Sequence, residues 1–343
     1  MRFACPLPLI LCVACSDASV QQPPAESVCD SCLAERRLAL GPTPFSPVDS
    51  LTPVVVKTYD GSNQVIHPDA ITFPFPLHGW AFGLLAMPYP NREGREKVEH
   101  PSFYVSNNYR YWTTVTGAQT NPIAFGAPNA ILSDNSILYD SALGGLRVYY
   151  RENVPNLPDH VLTKTSGDGG VTWSAAREVL PGLADAPFHY LSPTEVYRRI
   201  WYVSVRDGCN STNSSLHERT SADGESFGAE TTDSLVQPGY VPWHINIVYN
   251  AGLGLYTGLL AAYRADSGCA HTDLFLITSA DGTHWTAYLR PVMASTYEST
   301  FLAYDAQRAM ILFSLIGHPY GTYTLAIGQY GWPELLARVG GGP

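Results

Sequence analysis

Cations are scarce in this chain of 343 residues: 20 Lys and Arg stand against 30 Asp and Glu, a formal net charge of −10. Affinity for nucleic acid rests on clustered cations that displace counterions from phosphates. A nucleic-acid partner is therefore excluded. Also missing is any uncharged run of about 18 residues, the length a membrane-spanning helix needs. No long stretch repeats apolar residues every 3.6 positions, so helices should be few. There is no Gly-x-Ser-x-Gly elbow to carry a hydrolase serine. There is no phosphate loop and no dinucleotide fingerprint.

What is present suits strands and turns. Gly (29), Pro (27) and 12% aromatics accompany 45% apolar residues. That composition matches many short strands joined by tight turns, with enough apolar mass for one large core or two ordinary ones.

The first residues read as a targeting segment. MRFACPLPLILCVAC carries one Arg, then an apolar stretch too short to span a bilayer, then small residues. CVAC resembles a bacterial lipobox, which implies lipidation at Cys15 and a signal peptide over 1–15. Cys12 stands where Leu is usual, and ordinary cleavage near Ala18 is the alternative. Residues 16–49 are rich in Pro, Ser and Ala and read as a tether. The expectation is an exported protein: a periplasmic or cell-surface lipoprotein touching the membrane only through its lipid, or otherwise a secreted one. Export makes disulfides possible. Cys29 and Cys32 form a CDSC, but no βαβ unit surrounds it, so a local disulfide or free thiols are expected rather than redox work.

One short turn is written three times: TSGDGGVTW at 165–173, TSADGESF at 220–227 and TSADGTHW at 278–285. Asp and Ser side chains bond nearby backbone N–H groups, Gly supplies φ > 0, and the following aromatic packs between sheets. These turns resemble the Asp-box, or BNR, repeat of sialidase-like β-propellers. SNNYRYW (106–112) is a degenerate fourth, with Asn108 in place of Asp and no Gly. The boxes recur at intervals of about 58 residues, the size of a four-stranded blade. Five such units fill 50–343. The predicted fold is all-β: a five-bladed β-propeller with four-stranded antiparallel blades, most simply a monomer. Strand pairs repeat in step, from DAITF with WAFGLLAM to TFLAY with AMILFSL. VVVKTY (54–59) is available to add a strand to the last blade and close the ring.

In a propeller the box turns lie on the bottom face, so Asp168, Asp223 and Asp281 are builders and not acids. Chemistry is expected at the top, where inner strands start and the loops between the second and third strands return. The strand starts are His67-Pro68-Asp69, Ser133-Asp134-Asn135, Leu191-Ser192-Pro193, Trp243-His244 and Glu298-Ser299-Thr300. The loops add Tyr89, Glu99, His100, Arg151, Glu152, Asp159 and His160. Cys209 and Cys269 hold matching places in adjacent blades, which suggests a disulfide bracing the rim.

HPDAITF, then W, MPYPN, EHPSF, a degenerate box and NPI look like a group of bacterial BNR-type proteins. In outline the chain also resembles the five-bladed glycoside hydrolases of families 32, 43 and 68. That resemblance implies Asp69 as general base, Asp134 as the residue that tunes and orients the acid, and a Glu as acid. Glu195 is the positional match but lies deeper along its strand, so Glu99 ranks first, with Glu298 as substitute. Two carboxylates with separated pKa values are what glycoside cleavage requires. His67, Tyr89, His100, Arg151, Trp243, His244 and Glu298 are the candidate substrate-binding residues. No metal ligand set or cofactor is expected: His67 and His244 read as hydrogen-bonded core residues, and no spacing motif supports a channel calcium. The expected function is hydrolysis of a poly- or oligosaccharide. The alternative is a non-catalytic carbohydrate- or protein-binding propeller.

Overall fold

The computed structural model describes residues 51–340 except 90–98, 181–188, 195–198, 205–210, 270 and 318–321. The leader, the tether, Cys15, Cys29, Cys32 and Glu195 lie outside the described residues.

The chain enters through two short strands, β1 (Thr52–Pro53) and β2 (Val55–Val56). Blade one is β3 (Val65–Leu77), β4 (Trp80–Pro88) and β5 (Ser102–Ser106), with β6 (Tyr111–Trp112) attached through a bridge between Val105 and Thr113. Blade two is β7 (Ile131–Asp140), β8 (Gly145–Asn153), β9 (His160–Ser166) and β10 (Arg177–Leu180). Blade three is β11 (His189–Thr194), β12 (Arg199–Ser204), β13 (Ser215–Thr220) and β14 (Thr231–Thr232). Blade four is β15 (Tyr240–Asn250), β16 (Leu255–Arg264), β17 (Thr272–Ser279) and β18 (Thr286–Ala287). Blade five is β19 (Thr300–Tyr304), β20 (Arg308–Ile316) and β21 (Tyr323–Gly331). One helix, α1 (Trp332–Val339), follows; the sequence did not single it out.

The ring is read from the inner strands. β3 touches β7, β7 touches β11, β11 touches β15, β15 touches β19, and β19 returns to β3. Five apolar clusters fill the five gaps between neighbouring blades. Leu85, Phe103, Leu146 and Val148 join blades one and two. Tyr149, Val161, Ile200 and Tyr202 join two and three. Trp201, Leu216, Ile245 and Phe275 join three and four. Leu259, Leu274, Phe301 and Phe313 join four and five, with α1 capping that layer through Trp332 and Leu335. Leu84, Tyr104, Leu312 and Leu325 join five and one. Apolar residues stand on both faces of each blade because both faces are covered. The chain is a five-bladed β-propeller.

Closure differs in register from the expectation. Thr52 and Pro53, not residues 54–59, pair with Ile327 and Ala326 of β21, while Val55 and Val56 run parallel beside β6. In an extended chain successive N–H groups point to opposite sides. Val54 N–H therefore reaches Leu325 O of blade five (2.9 Å), and Val55 N–H reaches Arg110 O of blade one (2.8 Å). One extended segment is shared by the last and first blades.

The box turns behave as their side chains dictate. Asp168 Oδ1 accepts from Ser166 Oγ (2.8 Å) and Thr172 N (2.9 Å). Asp223 and Asp281 accept in the same way from Glu225 and Ser226, and from Thr283 and His284. Asn108 does the same work in blade one, receiving Arg110 N (3.1 Å) and Tyr111 N (3.0 Å). Where the later boxes use Gly224 (φ 74°) and Gly282 (φ 84°), blade one places Tyr109 at φ 52°. Each later box docks on the preceding blade: Tyr149 Oη donates to Gly224 O (2.6 Å), and Trp201 Nε1 donates to Gly282 O (3.0 Å).

Asp233 lies between blades three and four, where Trp285 Nε1 donates to it (3.1 Å). Burial pushes its carboxyl up to about 7; the Trp285 bond opposes this and the Glu218 charge adds to it. A pKa raised on folding means that the folded state binds more protons, so this stabilisation is complete below the unfolded value of about 4 and is lost as pH rises through about 7. Asp233→Asn is expected to flatten urea-measured stability between pH 4 and 8. A slope equal to that of the parent protein would contradict the assignment.

Candidate active site

The inner strands start at one end of the channel, and two of them are distorted there in the same way. Register shifts between Ile66 and Asp69 in β3, and between Ser133 and Ser136 in β7. Each shift carries one non-glycine residue in the left-handed region: His67 at φ 52° and Asp134 at φ 52°. Such backbone costs about 1–3 kcal/mol per residue and persists where the surroundings enforce it. Here the paired bulges aim His67 and Asp134 at the same point.

His67 Nδ1 lies 2.6 Å from Glu298 Oε2 and 3.4 Å from Asp134 Oδ1, while its Nε2 lies 3.4 Å from Glu99 Oε1. His244 Nε2 stands 3.7 Å from the same Asp134 oxygen. His67, Asp134, His244 and Glu298 each present a donor atom, and these atoms all lie within 4.8 Å of one another. All four side chains are buried, as is Glu99. Asp134 Oδ1 accepts no hydrogen bond and faces both imidazoles.

The other oxygen of Asp134 is anchored. Arg151 Nε donates to Oδ2 (2.5 Å), as does Ser133 Oγ (2.8 Å). Arg151 also donates from Nη2 to Ser133 Oγ (2.6 Å) and from Nη1 to Asp159 (2.7 Å). Tyr297 packs its ring against His244 at 4.4 Å and accepts from Trp243 Nε1 (3.4 Å). Tyr89 and Tyr323 continue this aromatic wall, with ring centroids 5.5 Å apart.

Charge decides the titration of the cluster. Burial opposes the charged imidazole of His67, but Asp134, Glu298 and Glu99 outweigh it and push the ring up to about 10. Burial lifts Glu298 to about 7 against the pull of His67. Burial, with repulsion from His67 and Arg151, holds His244 well below the ordinary imidazole range. His244 is therefore neutral, with a lone pair to offer.

Asp69 faces different partners. It sits two residues beyond the bulge, and its carboxylate accepts from Ile137 N of blade two (2.8 Å), Asn246 Nδ2 of blade four (3.1 Å) and Thr300 Oγ1 of blade five (2.8 Å). Burial raises it to about 6 against these bonds. The sequence comparison of strand starts set Asp69 level with Asn135. The bulges instead make His67 the counterpart of Asp134.

Of the residues singled out from sequence, His67, Asp134, Glu298, His244, Glu99 and Arg151 converge. Trp243 and Tyr89 stand in the surrounding wall. His100 is buried one residue from Glu99, with its ring 5.1 Å from Phe125. Sequence reasoning missed Tyr297 and Asn246, and gave Thr300 only as part of the blade-five strand start. Tyr297 immediately precedes the Glu298 strand start, which was the available signal. Cys269 is disulfide-bonded; Cys209 lies outside the described residues.

The cluster and the box turns occupy opposite ends of the ring. Asp134 and the turn residue Asp140 are six positions apart on β7, about 20 Å at strand rise. Asp140 shares Arg147 with Glu225 of the blade-three box, at 2.8 and 3.1 Å.

No protein-family model and no curated protein matches the chain. Among solved structures, an N-acetylgalactosamine deacetylase from F. plautii, bound to blood group B trisaccharide, is similar with TM-score 0.71 and 16% identity; the match covers 84% of this chain and 97% of that one. An endo-arabinase from Bacteroides thetaiotaomicron is similar with TM-score 0.56 and 12% identity, over 82% of this chain and 98% of that one. An exo-β-1,3-galactanase from Phanerochaete chrysosporium, with β-1,3-galactotriose, is similar with TM-score 0.51 and 9% identity, over 82% and 64%. At these identities the likeness establishes the fold.

Proposed function

We propose that the chain is a carbohydrate-active hydrolase whose reaction centre is the cluster of His67, Asp134, His244 and Glu298, and that this cluster is a divalent-metal site. The carrying observation is the convergence of four buried donors within 4.8 Å. Tetrahedral bonds of 2.0–2.2 Å place donors about 3.4 Å apart. The separations of 2.6, 3.4 and 3.7 Å bracket that value. Two imidazoles with two carboxylates suit zinc, manganese or a similar ion better than calcium, which prefers oxygen alone. Charge supports the same reading: Asp134, Glu298, Glu99 and Asp159 are buried against the guanidinium of Arg151 and a proton held on His67, which a bound ion would displace.

Bound there, the ion would supply Lewis acidity toward a carbonyl oxygen or a water. The chain's own residues do the rest. Arg151 and Ser133 fix Asp134 so that Oδ1 points inward. Tyr297 and Trp243 exclude water around His244. Glu99, beside His67 Nε2, is placed to take and return a proton. This arrangement suits removal of an acyl group from an acylated sugar, in keeping with the likeness to the deacetylase.

Glycoside cleavage by Asp134 and Glu298 is the second reading. It is favoured by oxygens within 4.8 Å of each other, close to the ~5 Å spacing of retaining glycosidases. In both readings Asp69 is a brace across the channel and not the base. Metal-free protein, assayed with and without Zn²⁺ or Mn²⁺ on N- and O-acetylated glycans, separates them. Metal-dependent acetate release is expected. Metal-independent appearance of reducing ends would replace the first reading with the second.

A further inference from the structure

The loop between β6 and β7 buries Ile123 and Ala124 against blades one and two, then turns Phe125 outward at 69% exposure. The loop is held at several points. Ile123 N–H donates to Pro101 O (2.8 Å), Lys164 Nζ donates to Ile123 O (2.6 Å), and Ala127 N–H donates to Glu152 Oε1 (2.9 Å). Phe125 therefore rests on an anchored frame, with its ring against His100 at 66°. His100 follows Glu99, whose carboxylate borders His67.

The same rim carries polar groups. Glu152 Oε2 and His160 Nε2 are paired at 2.8 Å, and both side chains are partly exposed. Glu152 adjoins Arg151, and His160 adjoins Asp159, so the backbone of the subsite continues into the supports of Asp134.

We propose that Phe125, with Glu152 and His160, forms an outer subsite for a neutral hexopyranose ring. This rests on the carbohydrate reading above and places the next sugar unit beside the reaction centre. An exposed, anchored aromatic face suits the C–H face of a pyranose, whose hydroxyls bond an adjacent carboxylate and imidazole. The acidic surroundings select a neutral sugar over an anionic one.

The test uses calorimetry with β-1,3-galactotriose, an N-acetylgalactosamine-terminated trisaccharide and N-acetylgalactosamine itself. It compares wild type, Phe125→Ala, Phe125→Trp, Glu152→Gln and His244→Ala. For a trisaccharide that binds wild type, Phe125→Ala is expected to weaken affinity about five- to tenfold, and Phe125→Trp to restore or improve it. Binding of the monosaccharide should change less than twofold. Equal trisaccharide affinity in wild type and Phe125→Ala overturns the subsite; if His244→Ala then loses binding, the carbohydrate centre stands alone. Absence of binding by all three sugars to wild type overturns both.

Discussion

Asp134→Asn is expected to fold and to lose function. The amide oxygen can still accept from Arg151 Nε and Ser133 Oγ, which hold Asp134 at 2.5 and 2.8 Å. The amide nitrogen would then face His67 and His244, in place of the oxygen that stands 3.4 and 3.7 Å from them. An NH₂ group donates and cannot bind a cation. Loss of a supporting partner alone costs about 10–100-fold in metal affinity, so loss of a ligand should cost at least about 100-fold. Melting temperature without added metal should stay within a few degrees of wild type, while titrated Zn²⁺ affinity and hydrolysis fall together. Asp168→Asn, on the opposite end of the ring, should leave both unchanged. Retained metal affinity in Asp134→Asn would remove the cluster from the mechanism.

Asp69→Ala should be the more damaging change to stability. It strips the acceptor from three buried donors, Ile137 N, Asn246 Nδ2 and Thr300 Oγ1, each on a different blade. A buried group left unsatisfied costs about 1–3 kcal/mol, so the three together cost about 3–9 kcal/mol, a large share of the roughly 5–15 kcal/mol that holds a domain together. Urea unfolding should show the midpoint fall. Asp69→Asn is the discriminating variant. It keeps one acceptor oxygen and leaves the Ile137 donor poorly served, so stability drops moderately. Turnover per folded molecule should change only a few-fold. Activity lost with stability intact would return Asp69 to the role of general base.

The contrast between these two aspartates measures how far the sequence could be read. The five blades were legible because the architecture is repeated: the boxes recur, and aromatic-ended strands precede each of them. Even the degenerate box in blade one was legible, since Asn108 offers the same acceptor as Asp. The seam at β1 and β2 was misplaced by a few residues because an extended segment serves two blades with alternate N–H groups, and no local pattern marks where it changes allegiance.

The candidate site was legible as a set of residues and not as an arrangement. His67, Asp134, His244, Glu298, Glu99 and Arg151 were all visible as polar residues at strand starts or in the loops above them. Their grouping depends on two bulges, and one extra residue in a strand redirects every side chain after it. The resemblance to the five-bladed glycoside hydrolases drew Asp69 and Asp134 into one catalytic pair. His67 and His244 read as hydrogen-bonded core residues or substrate contacts, whereas the structure brings both beside Asp134. Tyr297 and Asn246 escaped notice because an aromatic and an amide on a strand are ordinary core residues until a neighbouring blade supplies their partner.

The seam has a kinetic consequence. Thr52 pairs with Ile327, so the first and last strands of the propeller must meet before blades one and five each have two neighbours. Joining such distant segments is slow, since the loop between them must close before the pairing rewards it. During synthesis the nascent chain would carry blades one to four as an open arc. Its exposed flank would present Leu84 and Tyr104, which find their cover only when Leu312 and Leu325 emerge.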